Sequence, residues 1–508
     1  MSDSSQLDIW FDGYLVPSDV SLKKLYESDP DFGFLNSLNG VFSCVIRDVA
    51  RDRLYFITDR HGFGHLYLTK SSKIWHWSTQ IPELIQQSEI CKKIDPFSVQ
   101  QFLTIGHLLE NRTLFSEINL LPPATIRSIR LSDGEIVSDR EYWSWREIEP
   151  DPNPPSSKIV AAKAADLFQE SVEAHLKDGQ RTGIFLSGGL DSRSILAATR
   201  KAGHRAGTIT YGGGASQDMR MGEGVARRAG VTHERVEITS RNWLEERSRG
   251  VWESGGQFNL LHMHGVEALG RMSAIADVHL SGFMGDTLFG GSYLRKRAWC
   301  DTPITLQIAS DWFGCDPVHL EGLDPVQEYP HIDAYLIRQR RRRFIMEGIR
   351  MAWRRIPQRL PFADNRLTEF IYRYPDAWRL NGHLYIQIIQ SRYASFMNGI
   401  PWQRTGLPLS MPFFVHRAMM IMIGLKNKFF PPSGFTDYAN WLREEPAKKM
   451  IEDSLLHGPK HYRAYVDEAE VTKKLHQHMN GETHTEFLGR VWTLEIFLTQ
   501  LADKNSAV

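Results

Sequence analysis

The feature that most restricts the fold lies at residues 182–192, where an apolar strand, Thr182 to Leu186, runs directly into Ser187-Gly-Gly-Leu-Asp-Ser192 and then into a helix. That helix reaches Lys201, with Gly203 just behind it as a stop. An uninterrupted apolar run suits a strand buried on both faces, as in a parallel sheet. Glycines at a helix start leave backbone N–H groups and the positive end of the dipole open to an anion, with no Cβ in the way. The loop therefore reads as a phosphate cradle in which Ser187 and Ser192 add hydroxyl donors. It lacks the lysine of Gly-x-x-x-x-Gly-Lys-Ser/Thr, and Asp191 points to a magnesium ligand instead.

The surrounding pattern extends the same idea. A helix to His175, the strand 182–186, a helix to Lys201, a strand Gly207 to Tyr211, a helix Asp218 to Arg228 and a strand Arg235 to Ile238 alternate as βαβ units on a parallel sheet. Beyond about residue 292 the pattern is mainly helical, with no further clear βαβ repeat. The first part differs: Asp8 to Leu15, Gly40 to Arg47, Arg53 to Thr58, Lys73 to Ser78, Ala124 to Leu131 and Ile136 to Tyr142 read as strands, the last two joined by an Asp-Gly turn. Between the two styles lies Glu149-Pro-Asp-Pro-Asn-Pro-Pro-Ser-Ser157, which holds neither a helix nor a central strand. The expected organisation is a β-rich antiparallel domain over 1–148, a linker over 149–157, and an α/β domain with a helical C-terminal part over 158–508.

Charge limits the partners. Sixty basic and sixty acidic residues cancel, so no global field calls for nucleic acid or an anionic membrane. No apolar run approaches the roughly 18 residues of a membrane span, and Met1-Ser-Asp-Ser-Ser-Gln is no leader, so a cytoplasmic protein is expected. Cys44, Cys91, Cys300 and Cys315 are widely spaced and read as reduced thiols. The patch Arg338-Gln-Arg340-Arg-Arg-Arg343 with Arg350, Arg354 and Arg355 spreads cations around a helix; some are expected in solvent and others at a triphosphate, with RNA as a competing ligand.

The hexapeptide Ser187–Ser192 after an apolar strand resembles the pyrophosphate loop of the asparagine synthetase family, and three further segments resemble it in order. Thr208-Ile-Thr-Tyr211-Gly-Gly is similar to the second strand, Asp218 and Glu223 to the acidic pair that follows, and Ser281-Gly-Phe-Met-Gly-Asp286-Thr-Leu-Phe-Gly-Gly291 to the family's Ser-Gly-Glu-Gly-Ser-Asp-Glu-x-Phe-Gly-Gly loop. The resemblance implies an adenine-nucleotide α-hydrolase-like synthetase fold binding ATP and Mg2+. Asp191 and Asp286 would share the metal, and Leu186, Ser187, Gly188, Gly189, Leu190, Asp191, Ser192, Tyr211, Ser281 and Gly282 would hold the nucleotide. The implied reaction activates a small-molecule or peptide carboxylate as an acyl-adenylate, releases pyrophosphate, and forms an amide with ammonia or an amine.

Asp59-Arg60-His-Gly62-Phe-Gly-His-Leu66-Tyr67 resembles the end of the class II glutamine amidotransferase domain, an Ntn-hydrolase-like fold. Active members carry Cys as residue 2, where this sequence has Ser2, so the domain reads as truncated and glutamine hydrolysis as lost. The synthetase part departs too. Ile386 falls where the family has its catalytic lysine, and Phe283 replaces a Glu or Tyr, so Asp191, Asp286, Glu347 and Arg404 are the remaining catalytic candidates, with Glu347 as substitute base. Three alternatives stay open: a non-catalytic ATP-binding partner protein, an intramolecular amide-forming cyclase, and an RNA-modifying adenylating enzyme. A homodimer or a partner subunit is left open as well.

Overall fold

A computed structural model describes residues 7–214, 216–320, 329–429 and 436–506. The first part folds as β1 (Leu7–Val16), β2 (Asn39–Asp48), β3 (Arg53–Thr58), β4 (Tyr67–Ser71), β5 (Ile74–Ser78), β6 (Asn119–Leu120), β7 (Thr125–Arg130) and β8 (Ile136–Glu141). They form an antiparallel sheet in the order β1-β2-β3-β7-β8 and a smaller sheet in the order β5-β4-β6. Phe11 pairs with Cys44 and Cys44 with Ile57, so the apolar positions of three strands share one face. Expected strand positions match these to within about two residues, except that β4 and β6 carry no strand signal of their own. Both are short; β4 pairs with β5 along its length, and β6 adds to the other edge of β4.

After Glu147 no regular element occurs until the helix Ser157–Leu176, in keeping with the proline-rich stretch. Next comes a parallel sheet of β9 (Thr182–Phe185), β10 (Ala206–Gly212), β11 (His233–Glu237), β12 (Val278–Leu280) and β13 (Gln358–Arg359), in the order β11-β10-β9-β12-β13. From β9 the chain moves outward to β10 and β11, then returns to the other side of β9 at β12. The loops after β9 and β12 therefore diverge at a switch point, the crevice where open α/β sheets bind ligands. β13 lies in the region expected to be mainly helical; it is two residues long, too short for any periodicity to reveal.

The two parts share one hydrophobic core, to which Phe42 and Phe63 contribute from the first and Phe168, Leu186, Phe283 and Phe289 from the second. The arginine patch corrects an expectation, because most of it is neither in solvent nor on a nucleic-acid surface. Residues Ile337–Ile345 form a π-helix, and Arg341, Arg342 and Arg343 are buried. Arg342 donates to the backbone carbonyls of Gly62, Glu110 and Leu121 at 3.2, 3.2 and 2.6 Å, all in the first part. Arg343 donates to the Arg112 carbonyl, and Arg350 to that of Thr79. Successive side chains on any helix point in different directions, so consecutive arginines reach different neighbours.

Candidate active site

Both acidic loops start at carboxyl ends of neighbouring strands. Gly189 caps the helix Leu190–Lys201, so Asp191 sits in its first turn. In the second loop Gly282 and Gly285 pack so closely over Asp191 that a Cβ on either would lie 2.8 Å from its side chain. The backbone N–H of Asp286 reaches Asp191 Oδ2 at 3.1 Å, and the Tyr385 hydroxyl donates to Oδ1 at 2.9 Å. Burial, then the Asp286 charge, pushes the Asp191 carboxyl well above the usual range. Two carboxylates brought this close call for a cation.

One cation is supplied by the chain. Arg341 forms an ion pair with Asp286 and also donates from Nε to the Thr287 hydroxyl at 2.8 Å. Burial opposes its charge, but Asp286, Tyr293 and Asp191 outweigh burial and raise its pKa. The guanidinium lies 5.7 Å from the ring centre of Phe283, which is buried edge-on against Phe63 at 5.0 Å.

The phosphate-loop geometry is held from within. Ser187 N–H donates to Ser192 Oγ at 3.1 Å and Gly189 N–H to Ser187 Oγ at 3.2 Å. Gly188 N–H donates to Asp218 at 2.8 Å, and Gln403 donates to the same carboxylate oxygen at 3.0 Å. Asp218 thus braces the loop, while Glu223 pairs outward with Arg227 and Arg235. His279 accepts from the Phe185 N–H through Nε2, which leaves its Nδ1–H for Gln358 at 2.6 Å. That arrangement requires a neutral ring, and burial accordingly lowers its pKa to about 4.

A cavity of about 610 Å3 opens beside the loops and is lined by Tyr211, Ser281 and Gly282 among others. Tyr211 fits against Gly265, where an added Cβ would lie 2.6 Å from the ring and where φ is +82°. The remaining sequence candidates lie elsewhere. Glu347 is buried against His65 Nδ1 at 3.3 Å and Arg350 at 3.8 Å. Burial works to raise its pKa, but Arg350 and His65 prevail and lower it to about 2, which suits an ion-paired strut better than a proton acceptor. Arg404 is exposed and stacks 5.8 Å over Trp402, its neighbour Gln403 making the loop contact. Ile386 is buried in the core, and His383 stacks on Phe413 at 4.3 Å.

Sequence reading missed Tyr385 here and named Arg340 and Arg341 only as members of a patch, without singling them out. Arg341 was hidden among its neighbours. Tyr385, one residue before Ile386, carried no motif signal. Arg340 lines the cavity, and nothing in its sequence context separates it from Arg338 or Arg342.

A parallel sheet whose switch point joins a glycine-rich anion loop to a second acidic loop has the layout of a nucleotide-binding domain. Comparison with known proteins agrees. The asparagine synthase family model matches residues 163–350, and the glutamine amidotransferase domain model matches residues 20–143. The two matches support the asparagine synthetase family, with a glutamine amidotransferase-like N-terminal domain. Glutamine-hydrolysing asparagine synthetase 3 of Bacillus subtilis is 23% identical over 402 residues, 69% of this chain and 63% of its own length. Asparagine synthetase 1 of the same organism is 23% identical over 270 residues, 52% of this chain and 41% of its own. Carboxyethyl-arginine beta-lactam-synthase of Streptomyces clavuligerus is 24% identical over 221 residues, 43% of this chain and 39% of its own. The chain thus spans less than two thirds of the length of each of these relatives.

Proposed function

We propose that the chain activates a carboxylate as an acyl-adenylate and passes the acyl group to ammonia or an amine that its own N-terminal domain does not generate. The observation that carries this reading is the meeting of Asp191 and Asp286 at the switch point with Arg341 alongside. A substrate carboxylate oxygen attacks the α-phosphorus of ATP and the bond to pyrophosphate breaks. The amine then attacks the acyl carbon, loses a proton, and AMP leaves.

The two aspartates fit a magnesium ion, which takes one or two carboxylates and fills its remaining positions with phosphate oxygens and water. When bound it would neutralise the phosphate charge and stabilise departing pyrophosphate. The chain's own contribution is position and charge. Leu186 to Ser192, Tyr211, Ser281 and Gly282 hold the nucleotide, the first-turn N–H groups of the helix at Leu190 face the phosphates, and Arg341 provides the cation for which Ile386 cannot serve. For the amine, Cys44 on β2 offers no nucleophile, since burial pushes its thiol up to about 12. We propose a division at 149–157 and a cytoplasmic setting, with no nucleic-acid partner. Residues Ile386 and Phe283, both buried and apolar where the family resemblance implies polar groups, favour a second reading, a protein that binds ATP without catalysis; the beta-lactam-synthase relative favours an intramolecular amide-forming variant of the first.

The test is pyrophosphate release from ATP and Mg2+ over a panel of carboxylates, with Asp191→Ala and Asp286→Ala beside the wild type. Release that either substitution abolishes is the expected result. Nucleotide binding with no release on any carboxylate would replace this reading with the non-catalytic one.

A further inference from the structure

The cavity beside Ser281 and Gly282 has two chemically different ends. At one, Phe185 lies 5.2 Å from Tyr211 and 4.9 Å from His279, next to the residues assigned to the nucleotide. The other is built around Phe344, whose ring centre lies 5.2 Å from His107, 5.6 Å from Phe258 and 5.1 Å from His262. Both sets line one continuous space.

The Phe344 end holds three features that the nucleotide does not use. Arg340 stacks on Phe344 at 4.8 Å and Trp312 at 5.2 Å, and no carboxylate pairs with it among the described residues. His107 is 1% exposed and hydrogen-bonded to the Gln339 backbone, and its Nε2 has no partner. Burial keeps this ring neutral, so with its proton given to a backbone carbonyl the free Nε2 is an acceptor enclosed in the cavity wall. Third, among the described lining residues there is no aspartate or glutamate.

We infer that this end binds the acyl substrate by a second anionic group on Arg340, an apolar or aromatic body against Phe258 and Phe344, and a neutral N–H or O–H donor at His107. The inference rests on the adenylating reading of the neighbouring loops. It excludes a substrate with a free ammonium group, because an ammonium buried beside Arg340 with no acid to receive it is strongly disfavoured. Of simple compounds, an N-acylated acidic amino acid fits: one carboxylate for activation, one for Arg340, and an amide N–H in place of the ammonium.

Calorimetric titration of the full chain with N-benzoyl-L-aspartate, N-acetyl-L-aspartate and L-aspartate tests this, with and without Mg2+ and α,β-methylene-ATP. N-benzoyl-L-aspartate is expected to bind at least about tenfold more tightly than L-aspartate, with N-acetyl-L-aspartate between them. Arg340→Gln is expected to weaken it at least about tenfold, and Arg340→Lys, which keeps the charge, to weaken it less. Equal or tighter binding of L-aspartate, indifference to both substitutions, or no binding of N-benzoyl-L-aspartate at millimolar concentration would each overturn the inference. Pyrophosphate release is scored separately, so binding without release would remove the adenylating reading and leave the anion site standing.

Discussion

Asp59, which is buried, and Asp191, which is half-buried, are aspartates in tight glycine-bearing loops, one in each part of the molecule, and they are held in opposite ways. Asp59 accepts four backbone N–H groups, from Phe42, His61, Phe63 and Gly64, at 3.2, 2.9, 3.2 and 2.6 Å. Its lone pairs are spent on its own loop. Asp191 accepts one hydroxyl and one N–H, then faces a second carboxylate. A saturated carboxylate shapes the chain around it, whereas an unsaturated one beside a like charge is poised for a ligand that is not part of the chain.

The sharpest way to break that contrast is to remove each carboxylate. Asp191→Ala is expected to lower pyrophosphate release by about a thousandfold, some 4 kcal/mol of transition-state stabilisation, while the melting temperature stays level or rises. Asp59→Ala is expected to do the reverse. Four buried N–H groups lose their acceptor, at a cost on the order of 4 kcal/mol in stability, readable as a fall in the urea midpoint. If Asp59→Ala left stability untouched and stopped release, the two loops would not divide the work as described.

A somewhat smaller effect is expected between the two parts. Arg342→Met leaves the carbonyls of Gly62, Glu110 and Leu121 without that donor. A loss of about 3 kcal/mol should follow. It would appear in calorimetry as separate melting of parts that otherwise unfold together, and a single unchanged transition would count against the strut.

The smallest effect concerns protons and treats both parts alike. Burial lowers the pKa of His61 to about 3, and of His175 and His279 to about 4, from 6.5. The folded rings refuse protons that the unfolded chain accepts. Their contribution is therefore complete above pH 6.5 and is lost as pH falls towards 4. His175→Gln should flatten that decline by up to about 1.4 kcal/mol per pH unit, measured as urea midpoints between pH 7 and 4.

Periodicity made the longer strands legible and left the short β4, β6, β12 and β13 unseen, because apolar alternation and uninterrupted apolar runs report burial directly only over several residues. The loop 187–192 stood out in the sequence because a phosphate cradle needs glycine and hydroxyl residues next to one another in the chain, and Asp286 stood out only through the family resemblance. The roles of Arg340, Arg341 and Arg342 were not legible. Four adjacent arginines have no internal order in sequence, yet in the structure Arg341 reaches Asp286, Arg340 lines the cavity and Arg342 reaches the first part. Glu347 illustrates the same limit, since its partner His65 lies far away in the chain and nothing local reveals the pairing.

The Arg342 contacts also bear on how this chain tolerates change. Its carbonyl acceptors belong to the peptide backbone, which every substitution except a rearrangement of the loop preserves. Side chains in the first part can drift generation after generation without disturbing this grip. Deleting that part would strand a guanidinium in the interior. Inheritance under such a constraint can erase a domain's chemistry long before it can erase the domain.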